Sequence, residues 1–285
     1  TEKVVPVIDR RLLVRIFAYS LPLLIGGVAG TANEFIDRQM IKYLVPTGAM
    51  AQLGVYGAIT KIAVVMTLFT QMYRLAAEPF FLSNFRKEEF VESNAAALKY
   101  YVMVAMAIFL FIALFRDLFA LILGRDFREG IFILPVVLGA NVLSGVWFNL
   151  SFWYKREEKT RFAIYVTFTG LLFTVVFNVV LVPRWGYYGA AWARLIAEGA
   201  MVALSYTLNR RYFPTPYQTG RIATYVAAGL ALFAASELFA RHAGAPTAVQ
   251  YVVNVLLIGI YCLYAVWREH IDVRALAAAV VHRRR

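Results

Sequence analysis

Long runs of apolar residues fill most of this 285-residue chain and predict a membrane protein. The runs at 130–154, 162–183 and 243–267 contain no Asp, Glu, Lys or Arg, and each is longer than the roughly 20 residues that cross a bilayer as a helix. Five further runs, interrupted or flanked by a few charges, lie at 16–32, 53–82, 95–115, 187–209 and 222–240. Strands are not expected, because the runs lack a two-residue alternation. We therefore predict an all-α, polytopic membrane bundle of about eight transmembrane helices.

Composition and charge agree with this prediction. Apolar residues make up 61% of the chain and charged residues only 16%, which suits a helical bundle in lipid. The net charge of +12 is a topology signal and not a nucleic-acid signal. With a cytoplasmic N-terminus, 19 Lys and Arg residues fall on the cytoplasmic side and 7 on the other, so the positive-inside rule places both termini in the cytoplasm. The cytoplasmic cations would also attract anionic membrane lipids, at about 1 kcal/mol each.

The chain ends and the polar connections change the predicted membrane bundle little. The polar connections near 83–94 and 210–220 are too short to form a soluble domain. The chain begins with Thr1, and Pro6 and Asp9 interrupt any signal-peptide pattern, so we expect a fragment of a longer protein. The single cysteine, Cys262, lies in the last apolar run and reads as a packing residue.

The first apolar run carries features of a bending, closely packed helix. Pro22 removes a backbone hydrogen bond, and Gly26 with Gly30 forms a small-residue face. Pro22 and Gly26 are therefore candidate hinge residues. A packing face without any hinge function is the simpler interpretation of the two glycines.

A few charges lie inside the predicted spans. Arg74 with Glu78, and Arg194 with Glu198, have the four-residue spacing of neighbours on one helix face. Each such charge costs about 2.5 to 3.5 kcal/mol on insertion, so these residues should face the bundle interior or a wet cavity. They are candidate substrate-binding residues. The alternatives are that each pair neutralises itself, or that Arg74 extends to the membrane interface.

Lys61 has no carboxylate three or four residues away. This makes it the best candidate for a cavity cation that binds a phosphate or another anion, with pairing to Glu34 or Asp37 as the alternative. Asn149, together with Asn141 and Asn178, supplies hydrogen-bonding groups within the spans. Asn149 is a further candidate for substrate binding, although interhelical hydrogen bonding explains most such residues.

Catalytic and metal-binding patterns are missing from the sequence. The three histidines, His242, His270 and His282, lie outside the spans or at their ends without metal-ligand spacing, and no nucleophile-elbow, P-loop or dinucleotide fingerprint occurs. We therefore expect neither an enzyme nor a cofactor.

Several short segments, taken in their order and spacing, resemble the bacterial polysaccharide flippases. These flippases belong to the multidrug/oligosaccharidyl-lipid/polysaccharide exporter superfamily, and the resemblance is strongest to the lipopolysaccharide or O-antigen branch. The segments are YSLP at 19–22, DR at 37–38, LGVYGAITK at 53–61, EPFF at 78–81, FREG at 127–130, NLSFWYK at 149–155, KT at 159–160, and Asn178 with PRWGYYGAAW at 183–192.

This resemblance implies a two-lobed transporter, of which the chain holds the second lobe. Residues 1–10 would form a cytoplasmic segment, 11–209 the second six-helix lobe, 210–267 two additional transmembrane helices, and 268–285 a basic cytoplasmic tail. The partner would be the missing N-terminal lobe of the same protein. The two lobes would rock against each other to expose a central cavity to each side in turn.

The resemblance also implies a substrate and a location. The substrate would be an oligosaccharide linked to polyprenyl pyrophosphate, exported across the bacterial inner membrane for surface polysaccharide synthesis. Cavity cations would neutralise the pyrophosphate. Three alternatives remain open: an ion-coupled multidrug exporter of the same superfamily, a membrane-embedded glycan polymerase or ligase, and a structural subunit without transport activity.

Overall fold

The computed structural model describes residues 9–85, 88–242 and 246–270, apart from the side chain of Glu34. Throughout these residues the chain is α-helical without strands, which confirms the predicted all-α membrane bundle. Most of the predicted segment 1–10 and of the tail 268–285 lies outside the described residues, as do Arg86 and Lys87, so the domain limits remain predictions.

Eleven α-helices and one 3₁₀ helix follow one another along the described part of the chain. They are α1 (Arg10–Leu44), α2 (Ala49–Ile62), α3 (Val64–Asn84), α4 (Phe90–Leu114), α5 (Arg116–Ala120), the 3₁₀ helix (Arg125–Ile133), α6 (Leu134–Leu150), α7 (Phe152–Arg156), α8 (Arg161–Trp185), α9 (Tyr187–Tyr212), α10 (Thr219–His242) and α11 (Thr247–Glu269).

Six helical stretches of the described chain are long and apolar enough to cross a membrane, or seven if the bent pair α2–α3 forms one span. The difference from the predicted eight spans is α9. Its 26 residues suffice for a crossing, but polar side chains lower its apolar content. Several of them, including Glu198, Ser205 and Asn209, are buried against neighbouring helices. Polar residues that face the bundle interior avoid the cost of contact with lipid.

α1 is a single helix of 35 residues. Asp9 caps its N-terminus, since the carboxylate accepts hydrogen bonds from the backbone amides of Arg11 at 2.8 Å and Leu12 at 3.3 Å. At 1.5 Å per residue the helix is about 52 Å long, well beyond the roughly 30 Å of a bilayer core. The helix continues through Pro22.

The run predicted as one span at 53–82 is broken at Ala63, where α2 and α3 meet at an angle of 51°. Neither Pro nor Gly lies at the break. Instead Asn141 of α6 donates its amide to the Ala63 carbonyl at 3.5 Å and to the Thr67 hydroxyl at 3.2 Å. These bonds help to satisfy backbone and side-chain groups at the break, which is the condition for irregular helix geometry inside a membrane protein.

The core packs α9 against α8 and α6, and α1 against α8. α8 and α9 join directly at Gly186, whose φ of 55° favours glycine. The side-chain oxygen of Gln52 in α2 accepts a hydrogen bond from the backbone amide of Tyr187 at 3.1 Å, and this contact fixes the start of α9. A methyl group added to Gly26 of α1 would lie 3.3 Å from the Ala163 side chain of α8, so the glycine permits the close approach of these two helices.

The last two helices, α10 and α11, pack against α4 at the edge of the bundle. Only 17% of the membrane-spanning window of each is buried, compared with 61% for α4. The connection between α9 and α10 returns to the core through Tyr217, whose hydroxyl accepts a hydrogen bond from the Asn94 amide at 3.1 Å. Burial raises the pKa of Tyr217 above its ordinary value, which keeps this hydroxyl protonated.

Candidate functional site

One face of α1 lines three hollows that follow one another along the helix. Residues 20, 23, 27, 31, 38 and 42 line these hollows, and their spacings of three, four or seven residues keep them on one helix face. The lining begins at Leu12 and ends at Lys42, which spans about 45 Å of helix. We name the hollows, in chain order along α1, the Arg15 hollow, the central cavity and the Lys61 groove.

The central cavity has a volume of about 490 Å³. Its charged lining residues are Arg74, Glu78, Lys155 and Glu198, two cations and two carboxylates. Gly27 and Gly30 form part of the α1 wall, and a methyl group added at either would meet nothing within 4 Å. The α1 wall therefore keeps the cavity open.

Arg74 and Glu78 face the cavity together because they lie one turn apart on α3. Glu78 nevertheless pairs with Lys155 of α7, whose ammonium donates to the Glu78 carboxylate at 2.6 Å. The Arg74 guanidinium lies 4.5 Å from the centre of the Phe148 ring and 5.7 Å from that of Trp147. The alternative interpretation, in which Arg74 and Glu78 neutralise each other, is therefore replaced by a pair between Glu78 and Lys155.

The Arg15 hollow, of about 860 Å³, lies at the N-terminal end of α1. It holds Arg15, Lys155 and Arg156, and the carboxylates of Glu157 and Glu158. Arg15 and Glu158 form an exposed ion pair at 2.7 Å. Lys155 lines both this hollow and the central cavity, so the two spaces meet at its side chain.

The Lys61 groove, of about 350 Å³, lies toward the C-terminal end of α1. Arg38, Gln39 and Lys42 of α1 and Leu53, Gly57 and Lys61 of α2 line it. Three of these six residues are cations and none is a carboxylate. Asp37, the partner predicted as an alternative for Lys61, instead accepts hydrogen bonds from Tyr56 at 3.2 Å and Asn178 at 3.0 Å. The other predicted partner, Glu34, has no described side chain.

Three of the six predicted substrate-binding residues, Arg74, Glu78 and Glu198, thus line the central cavity. Lys61 of α2 lies outside the central cavity, in the Lys61 groove, which borders the same face of α1. Asn149 is completely buried and donates to the Tyr73 hydroxyl at 2.6 Å, so it joins α6 to α3 and is not part of the cavity lining. Interhelical hydrogen bonding, the simpler interpretation of this asparagine, describes its position.

Arg194 is partly buried and belongs to a polar network between the helices. Its guanidinium donates to the Asn141 side chain at 3.1 Å, and Asn141 in turn binds Ala63 at the break between α2 and α3. Arg194 also lies near enough to Asp37 for a favourable charge interaction. Near Asp37, Asn33 accepts a hydrogen bond from Thr174 of α8. These contacts connect α1, α2, α6, α8 and α9.

The two hinge candidates have different surroundings. Gly26 lines the central cavity and packs against Ala163, while Pro22 lies within the continuous helix α1. The marked bend of the described chain is at Ala63, which the sequence did not single out. Pro22 and Gly26 stay predictions as flexing points.

Lys155 is the cavity residue that the sequence interpretation missed. It follows the aromatic segment 152–154 at the end of an apolar run, and the positive-inside rule counted it as an ordinary cytoplasmic charge. The nearby aromatic residues carried the relevant signal, since the Lys155 ammonium lies 5.2 Å from the Phe148 ring and 5.3 Å from the Phe152 ring.

Comparisons with known proteins identify no family for this chain. No protein-family model matches the sequence, and no curated protein matches it.

Proposed function

We propose that this chain is one lobe of a bacterial flippase that exports oligosaccharides linked to polyprenyl pyrophosphate. The observation that carries the proposal is the single face of α1 that lines three successive hollows over about 45 Å. Such a face would form one wall of a path along the bundle. The resemblance of the sequence to polysaccharide flippases supplies the substrate class.

Cations at every stage of the path support an anionic substrate. Arg15, Lys155 and Arg156 lie at one end, Arg74 and Lys155 in the middle, and Arg38, Lys42 and Lys61 at the other end. A pyrophosphate that moves along this face would find a charge-assisted partner in each hollow. The exposed polar side chains of the hollows would accommodate the sugars, and the polyprenyl tail would stay in the surrounding lipid.

The proposal includes a second lobe of the same protein that completes the path. It places the transporter in the bacterial inner membrane, with both termini of this chain in the cytoplasm according to the distribution of cations. Rocking of the two lobes would expose the central cavity to each side in turn.

The test is disruption of the full-length gene in the bacterium that carries it. We expect surface polysaccharide to be lost and its lipid-linked precursor to accumulate inside the cell, with both effects reversed by the full-length gene. Unchanged surface polysaccharide and unchanged precursor levels in the disrupted strain would reject the proposal.

A second candidate is an ion-coupled multidrug exporter of the same superfamily. The carboxylates of Glu78 and Glu198 in the central cavity favour it, because they would attract a cationic drug. The disrupted strain distinguishes the two functions. A multidrug exporter predicts increased sensitivity to cationic dyes with normal surface polysaccharide.

A further inference from the structure

A cluster of four residues lines the central cavity and reaches the Arg15 hollow at Lys155. Arg74 and Glu78 come from α3, Phe148 from α6 and Lys155 from α7. All four line the central cavity, and Lys155 also lines the Arg15 hollow. Lys155 is therefore placed to meet a ligand in either hollow.

Arg74 and Lys155 both lie against the aromatic ring of Phe148. The Arg74 guanidinium lies 4.5 Å and the Lys155 ammonium 5.2 Å from its centre. The ring itself is 5% exposed and packs edge-on against Phe152 at 5.2 Å. Because this aromatic contact fixes the ring, it fixes the surface against which both cations lie.

Glu78 binds one of these cations but not the other in the described ion pairs. Its carboxylate contacts Lys155 at 2.6 Å, and the Lys155 side chain is only 12% exposed while that of Glu78 is 43% exposed. A poorly hydrated ammonium needs a counter-anion, and Glu78 supplies one. Its exposure gives Glu78 room to turn toward water when a stronger anion arrives.

A diphosphate is a stronger anion for this arrangement than one carboxylate. Arg74 and Lys155 both line the central cavity, and each would form a charge-assisted hydrogen bond with a phosphate group. We propose that Arg74 and Lys155 form a two-cation subsite for the diphosphate of the substrate, and that Glu78 is an internal counter-anion which the diphosphate displaces from Lys155. This inference rests on the proposed function and adds Lys155 and the competing role of Glu78 to it.

The other carboxylate of the cavity lining, Glu198, is 5% exposed and lies on α9. The displacement is assigned to Glu78 because its carboxylate forms the ion pair with Lys155.

The experiment measures diphosphate binding to the full-length gene product in phosphatidylcholine nanodiscs by calorimetry. Inorganic pyrophosphate and farnesyl diphosphate serve as probes, so that free and lipid-linked diphosphates are distinguished. Lys155→Gln should weaken the binding of both probes about tenfold, the equivalent of one lost charge-assisted contact. Lys155→Arg should retain most of the affinity.

The direction in which Glu78→Gln changes the diphosphate affinity decides between a subsite and a structural ion pair. The substitution should tighten the binding of both probes severalfold, because it removes the competing carboxylate, and it should have no such effect once Lys155 is Gln. A purely structural ion pair predicts the opposite pattern: lower thermal stability of the Glu78→Gln protein with unchanged affinity. That result would overturn the inference.

Glu237→Gln is the matched control. It removes one carboxylate from an ion pair of similar length, 2.9 Å to Arg116, and neither partner lines any of the three hollows. The affinity for both probes should stay unchanged. Equal tightening by Glu237→Gln and Glu78→Gln would attribute the effect to overall charge and would also reject the subsite.

Measurement of surface polysaccharide separates this inference from the proposed function. If substitutions at Glu78 and Lys155 leave the diphosphate affinity unchanged in a protein that still exports glycan, the subsite is rejected. The proposed flippase function then stands. Loss of the gene without loss of surface polysaccharide rejects the flippase itself.

Discussion

Lys99 of α4 and Glu269 of α11 form a buried ion pair although they lie 170 positions apart in the chain. The side chains are 6% and 3% exposed. The Tyr225 hydroxyl of α10 donates to the same carboxylate at 2.6 Å, and Arg221 approaches it at 3.6 Å. One carboxylate therefore joins both peripheral helices to the core of the bundle.

A second set of polar contacts joins the same helices at the other end of α4. Arg116 pairs with Glu237 of α10 at 2.9 Å, and Asn254 of α11 donates to the Leu114 carbonyl at 2.7 Å. Asn254 also accepts a hydrogen bond from Ser236 at 2.7 Å. Contacts at both ends fix the tilt as well as the position of α10 and α11, so we expect these helices to move together with the bundle.

The first prediction concerns the buried pair. Lys99→Met leaves Glu269 without its main counter-charge inside the protein and should lower the free energy of unfolding by about 3 to 5 kcal/mol. Thermal unfolding in detergent would measure this change. The double variant Lys99→Met/Glu269→Met should be less destabilised than the single one, because no unpaired charge remains.

The exposed pair between Arg15 and Glu158 provides the comparison. Its side chains are 72% and 57% exposed, so Arg15→Gln should change stability by only about 0 to 1 kcal/mol. Equal losses from Lys99→Met and Arg15→Gln would contradict the structural role assigned to the buried pair.

The second prediction concerns topology. We predict that both termini lie in the cytoplasm, because 19 cations fall on one side and 7 on the other and the number of crossings is even when α9 is included. An alkaline phosphatase fusion in the connection at 241–248 should be active, and one after Arg285 inactive. An active fusion after Arg285 would reverse the orientation.

Much of the helical architecture could be predicted from apolar runs alone. The predicted spans 95–115, 162–183 and 222–240 correspond to α4, α8 and α10 within five residues at each end. The reason is physical, since a membrane helix must satisfy its backbone within one continuous segment. Composition and length therefore carry most of the signal for each separate helix.

Contacts between helices could not be predicted in this way. The break at Ala63 depends on Asn141, which lies 78 positions further along the chain. Glu78 has Arg74 at ideal spacing on its own helix, yet it pairs with Lys155, 77 positions away. Local spacing identifies which charges share a helix face, whereas the choice of partner depends on how distant helices pack.

The third prediction uses two neighbouring glycines of α1. A side chain at Gly26 would press on Ala163, so Gly26→Leu should separate α1 from α8 and cost about 1 to 3 kcal/mol of stability. Gly27 has open space around it in the central cavity. Gly27→Leu should therefore preserve stability and, by filling the cavity, reduce glycan export by the full-length protein.

Thermal unfolding and surface polysaccharide would be measured for both glycine variants. Normal export by a stable Gly27→Leu protein would show that the substrate does not use the central cavity.

The last prediction separates Lys61 from Arg194, which the sequence treats alike as cations within spans. Lys61 is exposed in a groove that it shares with Arg38 and Lys42, so Lys61→Gln should change stability by less than about 0.5 kcal/mol. Arg194 donates to Asn141 in the polar network, so Arg194→Gln should cost about 1.5 to 3 kcal/mol, and Arg194→Lys should retain part of it.

The substitutions at Lys61 and Arg194 should affect export in the opposite order to stability. If the Lys61 groove neutralises a phosphate on the path, Lys61→Gln should reduce surface polysaccharide about tenfold at normal protein abundance, because one charge-assisted contact is lost. Lys61→Arg keeps the charge and should export normally. Export by Arg194→Gln should fall only as far as the amount of folded protein falls. Normal export by Lys61→Gln would remove the groove from the path, since its three described cations would then have no part in moving an anion.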